Sequence, residues 1–165
     1  MVLTIQSPFS DDETLTGDVG QLVEQFIKDN WSVSGILTTD IRWGYGGDQI
    51  LQSGKNIVLK AYPYFQRKTP ITINGSRIEV VDSILVDVYT MNNNLPNDLI
   101  GRDPNAVKIL KFLDSLFLIN QGTHYKGIYD FKPADGVIQP DEVKKSNSHL
   151  MYRLEVRYII DVVNV

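Results

Sequence analysis

Hydrophobic and polar residues alternate from Leu150 to Val163 for the length of a long strand. Tyr152, Leu154, Val156, Tyr158, Ile160 and Val162 fall on one face, and Arg153, Glu155, Arg157 and Asp161 on the other. A side-chain period of two defines a half-buried β-strand. Residues 77–91 repeat the pattern with Ile78, Val80, Ile84, Val86 and Val88, and Asp82 interrupts that face. At ~3.3 Å per residue such a strand reaches ~50 Å, so it either projects past a compact body or bends near Asp82 and Ser83.

Two stretches carry a helical period instead. Val19, Leu22, Val23, Phe26 and Ile27 form one apolar stripe, with Thr16 or Asp18 placed to cap the first free amides. Asp103 followed by Pro104 opens a second helix, whose stripe is Val107, Ile109, Leu110, Leu113, Leu116 and Phe117 and which Gly122 ends. Between Ile71 and Ile78 the pair Asn74-Gly75 separates two β-prone runs, a hairpin signature. A shorter extended segment spans residues 56–65, where Pro63 marks a sheet edge. Residues 32–54, rich in glycine, predict only brief regular structure. Residues 1–16 read as an N-terminal arm, and residues 121–148, with Gly122, Gly127, Pro133, Gly136 and Pro140, as a long loop. Strands that cluster rather than alternate with helices predict one α+β domain over 1–165: a mainly antiparallel sheet with two helices on one face and long loops.

Composition narrows the function. The chain has 165 residues, of which 42% are hydrophobic and 22% charged, as globular chains do. A net charge of −4 gives no general attraction to phosphate backbones, so sequence-specific nucleic-acid binding is not expected. The cluster Lys144, Lys145, Arg153 and Arg157 reads as a solvated face. With no cysteine there is neither a disulfide framework nor a thiolate site, which favours an intracellular origin. No apolar run approaches the roughly 18 residues of a membrane span, so no membrane partner is expected.

No residue cluster has the spacing of a catalytic or metal site. Gly44-Tyr45-Gly46-Gly47-Asp48 lacks the lysine and serine of a phosphate loop and reads as a turn. His124 and His149 have no ligand or nucleophile at a telling distance, and Asp135, Asp141 and Glu142 lack the density of a calcium loop. No enzyme activity and no cofactor are expected. The aromatic residues Trp43, Tyr45, Tyr62, Tyr64 and Phe65 either roof the core or form a contact surface between subunits. Asp82, unfavourable if buried alone, implies a strand bend, an exposed edge, or a salt bridge within the chain or across a subunit boundary.

The order of elements resembles that of tail-terminator and head-to-tail joining proteins of long-tailed phages and related archaeal viruses. Its points are the early amphipathic helix at 19–31, the long strand at 78–91, the polar loop before the helix at 104–119, and the final charged-alternating strand at 150–163. The resemblance implies a homo-oligomeric ring, often a hexamer, in the virion. Such a ring is assembled in the host cytoplasm and joins tail tube to head connector. Residues 43–52 and 121–148 would then reach neighbours. A monomeric α+β module that binds a small molecule or peptide is the alternative, and it would require a closed apolar pocket.

Overall fold

Helix α1 (Val19–Asp29) starts at Asp18, whose carboxylate accepts the Gln21 amide at 3.0 Å and satisfies one of the free donors of the first turn. The structure, a computed structural model, describes residues 15, 17–45, 54–99, 102–134 and 147–161. Strand β1 (Ile41–Trp43) runs parallel to β2 (Ile57–Pro70). Strand β3 (Arg77–Met91) follows by a hairpin. Helix α2 (Pro104–Ile119) then crosses to β4 (Ile128–Pro133) and β5 (Asn147–Asp161). The strands form one sheet in the order β1-β2-β3-β5-β4, antiparallel except for the first pair.

Both helices cover the same face. Leu59, Ala61, Val80, Ile84, Val86, Val88, Leu154 and Val156 all turn toward it, and they share one apolar cluster with Val23, Phe26 and Ile27 of α1 and Ile109, Leu113 and Phe117 of α2. Phe26 sits at its centre, stacked on Phe131 at 4.5 Å and on Phe117 at 5.9 Å between ring centroids. The architecture is the expected α+β layer, because a sheet whose one face alternates apolar residues needs only one layer of helices to bury it.

Four expectations need correction. Residues 121–148 are not one loop: 128–133 form the edge strand β4, and β5 begins at Asn147. A register shift between Ile128 and Asp130 leaves Tyr129 bulged, so the two fully buried side chains, Ile128 and Phe131, are three residues apart rather than two. That spacing hides the strand from a period-two search. The bend expected at Asp82 and Ser83 falls on the partner strand. β3 is continuous, and the bulge is at Tyr64 of β2, between Pro63 opposite Ile84 and Phe65 opposite Ser83. β2 therefore continues past Pro63 to Pro70. Nor is β3 a free arm, since it pairs with β2 on one side and with β5 along its whole length on the other.

The hairpin at Asn74-Gly75 is present, with a wider loop than the shortest two-residue turn. Gly75 N–H donates to the Thr72 carbonyl at 3.0 Å, and Gly75 takes φ of 68°, a conformation glycine adopts without a Cβ clash. Residues 32–54 have little regular structure where they are described: a bridge between Val33 and Ile36, a short 3-10 turn at Thr38–Asp40, and β1. The N-terminal arm through Thr14, Gly46 to Gln52, the loop residues Asp135, Asp141, Glu142, Lys144 and Lys145, and Val162 and Val163 lie outside the described residues.

Candidate subunit interface

Strand β2 changes neighbours along its outer edge. β1 pairs with it only over Ile57 to Leu59, and the Leu59 carbonyl then accepts the Gly44 amide at 2.8 Å. At Ala61 helix α1 takes over. Glu24 accepts the Ala61 amide at 2.9 Å, and Gly20 lies so close that a Cβ there would collide with the Ala61 carbonyl oxygen. Burial raises the Glu24 pKa above the usual 4.5, opposed in part by the Ala61 N–H and by Lys28 and Lys60. From Pro63 to Pro70 every residue is exposed and no described strand pairs on that side. The bonded pairs Asn56 with Met91 and Ile71 with Arg77 fix the phase at the two ends of the hairpin. With the one-residue shift at Tyr64, that phase turns Pro63, Gln66, Lys68 and Pro70 to the open edge. Two prolines with no N–H and a lysine are devices that blunt an exposed strand edge.

The bulge also gathers aromatic side chains. Phe65 pairs with Ser83, and Tyr62 with Leu85, on the face of the sheet away from the helices. Tyr64 reaches across that face, its hydroxyl accepting from Arg153 Nη2 at 2.9 Å and Nε at 3.1 Å. Phe65 is 61% exposed and Tyr64 43%. Tyr62 is more enclosed; burial, and then the charge of the Asp87 carboxylate and the hydrogen bond to it, push its pKa up to about 12. His149 Nε2 stands 3.1 Å from Asp87 Oδ1, without hydrogen-bond alignment. His149 is thus half-buried beside a carboxylate rather than an ordinary surface histidine. Because a raised pKa disfavours the phenolate, Tyr62 is poorly suited to be a nucleophile.

Of the six residues singled out in the sequence, Tyr62, Tyr64 and Phe65 converge. Trp43 faces the helices, where its indole N–H donates to the Thr38 carbonyl at 3.1 Å, its ring meets Trp31 at 5.7 Å, and Lys28 lies 5.0 Å from its centroid. Tyr45 is held by Arg42, which stacks on its ring at 4.8 Å and donates to its hydroxyl at 3.1 Å. Asp82 is neither at a bend nor at an edge, and it is not in a salt bridge within the described chain. It is 2% exposed under the helices, accepting from the Tyr158 hydroxyl at 2.7 Å and from Gln66 Nε2 at 2.8 Å. Its partners are neutral groups that its own sheet neighbours supply: Gln66 lies opposite it on β2, and Tyr158 two places along β5 from its pair Val156.

The sequence reading missed the exposed apolar tips. Ile71 and Ile73, beside the hairpin turn, are 42% and 111% exposed. A second apolar patch closes α2, where Leu118 and Ile119 are 53% and 80% exposed. Both could have been found by asking which apolar residues fall outside the alternating or helical stripe beside a predicted turn.

Other chemistry is sparse. Among the described residues no three His, Asp or Glu side chains converge as metal ligands. A cavity of about 640 Å³ at the end of the sheet is lined mainly by polar groups, among them Asp40, Lys55, Asn92, Asn93, Asn94 and Asp103. A second, of about 400 Å³, lies between α1 and the β2 edge, beside Glu24, Lys28, Trp43 and Lys60. Neither is the closed apolar pocket of a small-molecule module. No described helix is long and apolar enough to cross a membrane. No protein-family model matches the chain, and no curated protein matches it.

Proposed function

We propose that this chain is a non-enzymatic structural subunit of a virion, a tail terminator or head-to-tail joining component that closes into a homo-oligomeric ring between tail tube and head connector. The observation that carries the assembly role is the distal half of the β2–β3 hairpin, where Tyr64, Phe65, Ile71 and Ile73 are all exposed and the outer edge of β2 has no described neighbour. Large apolar and aromatic side chains exposed along one hairpin are favoured anchors for a protein partner. The virion role rests on the resemblance in element order. A ring needs one contact repeated by rotation until it closes, and its two rims are then free to meet different partners. A net charge of −4 suits a conduit that DNA passes without adhering.

Solution mass tests this directly. Light scattering and native mass spectrometry on the full chain at micromolar concentration should give a closed oligomer, and negative-stain images should show rings. A strict monomer at high concentration, unchanged by added tail-tube protein, would refute the proposal.

A further inference from the structure

We infer that the β2–β3 hairpin of one copy docks on the C-terminal end of α2 of the next copy, so that contacts run head to tail. This rests on the assembly proposed above and specifies its contact. Among the described residues, two of the exposed apolar patches lie on different elements, one on the β2–β3 hairpin and one at the end of α2. Ile71 and Ile73 lie on the hairpin that β2 carries. Leu118 and Ile119 end a helix that packs over β5, β3 and the edge strand β4, meeting β4 through Phe117 against Phe131 at 5.6 Å and the Gly122 amide on Asp130 at 2.7 Å. Two different patches that satisfy each other across copies define a heterologous contact, the kind that generates rings.

Charge points the same way. Arg67 and Lys68 on the exposed half of β2 have no acidic partner among the described residues. The last turn of α2 carries no basic residue. Its carbonyl end is the negative pole of the helix dipole, and exposed Asp114, which also accepts the Tyr152 hydroxyl at 3.1 Å, lies one turn before Leu118 on the same side. Lys111 stands one turn further back, and nearby Lys126 is drawn over the Tyr125 ring at 5.3 Å. A basic, apolar hairpin thus meets an apolar, electronegative helix end. The symmetric alternative, two β2 edges pairing antiparallel, is opposed by the missing N–H groups of Pro63 and Pro70. It would also bring Arg67 and Lys68 of both copies together, and like charges directly opposite are destabilising.

The absence of native cysteine makes crosslinking clean. Under mild oxidation a chain carrying both Ile73→Cys and Ile119→Cys should give a ladder of covalent species above the dimer. An equimolar mixture of the two single variants should give a covalent dimer, while each alone should stay uncrosslinked. Self-crosslinking of Ile73→Cys alone, or a double variant that stops at dimer, would overturn the head-to-tail contact while leaving assembly intact. No crosslink in a protein that native mass shows to be oligomeric would do the same. A monomeric wild-type protein would instead remove the assembly itself, and this contact with it.

Discussion

The Tyr158 hydroxyl donates to the Asp82 carboxylate across 2.7 Å, beneath the helices, and Gln66 donates to the other carboxylate oxygen at 2.8 Å. Burial and the adjacent carboxylate push the Tyr158 pKa well above its ordinary 10, so its proton stays in place over the whole working pH range. Removing the hydroxyl in Tyr158→Phe leaves a buried carboxylate with one donor fewer and should lower stability by about 2 kcal/mol in urea unfolding. Combining it with Asp82→Leu should recover part of that loss, because an apolar pair leaves no orphaned charge. A double variant less stable than Tyr158→Phe alone would show that Asp82 contributes more than its hydrogen bonds.

Glu24 gives a pH-dependent prediction. Its folded pKa is raised above 4.5, chiefly by burial, so its protonated form is favoured in the folded state. The contribution is therefore fully present below pH 4.5 and is lost as pH rises through the folded value. Glu24→Gln keeps an oxygen for the Ala61 amide and removes the charge. Relative to the wild type it should gain stability between pH 4 and pH 7, read as a rising difference in urea midpoint. Glu24→Ala orphans the Ala61 N–H and should lose about 1–3 kcal/mol at either pH. A pH-independent difference between wild type and Glu24→Gln would sink the burial argument.

Gly20→Ala tests how closely α1 approaches β2. In an exposed helix this change stabilises by roughly 1 kcal/mol through propensity. Here the added methyl meets the Ala61 carbonyl, a backbone atom of a paired strand that cannot swing aside. The clash should outweigh propensity, for a net loss of about 1–2 kcal/mol on the scale of overpacked cores. A thermal midpoint at or above that of the wild type would mean that α1 lifts off the edge at little cost.

What the sequence showed and what it hid follow from register. β3 and β5 were legible because their pairing runs unbroken from Arg77 opposite Asp161 to Met91 opposite Asn147, so every second residue meets the helices. β4 and the far half of β2 were hidden, because the bulges at Tyr129 and Tyr64 each shift the alternation by one. The three convergent aromatics were legible by type, but only the bulge turns Phe65 to the outer face beside Tyr62 and Tyr64. Asp82 misled for a different reason. A carboxylate in an apolar row looks like a bend or an ion pair, and its neutral partners, Gln66 and Tyr158, lie 16 and 76 residues away in the chain.

The exposed apolar residues of the hairpin separate assembly from folding. Ile73, 111% exposed, and Phe65, 61% exposed, make little contact within their own chain, so Ile73→Asp and Phe65→Ser should each change unfolding free energy by no more than about 0.5 kcal/mol. If these side chains anchor a neighbour, the same substitutions should shift the protein to monomer, because a desolvated aromatic or aliphatic anchor contributes about 2 kcal/mol or more to an interface and a ring repeats that loss at every contact. Sedimentation of each variant beside its urea curve reads both quantities on one preparation. An unchanged oligomer with unchanged stability would free the hairpin of any part in assembly, whereas loss of both together would mean that the chain folds stably only in the company of its copies.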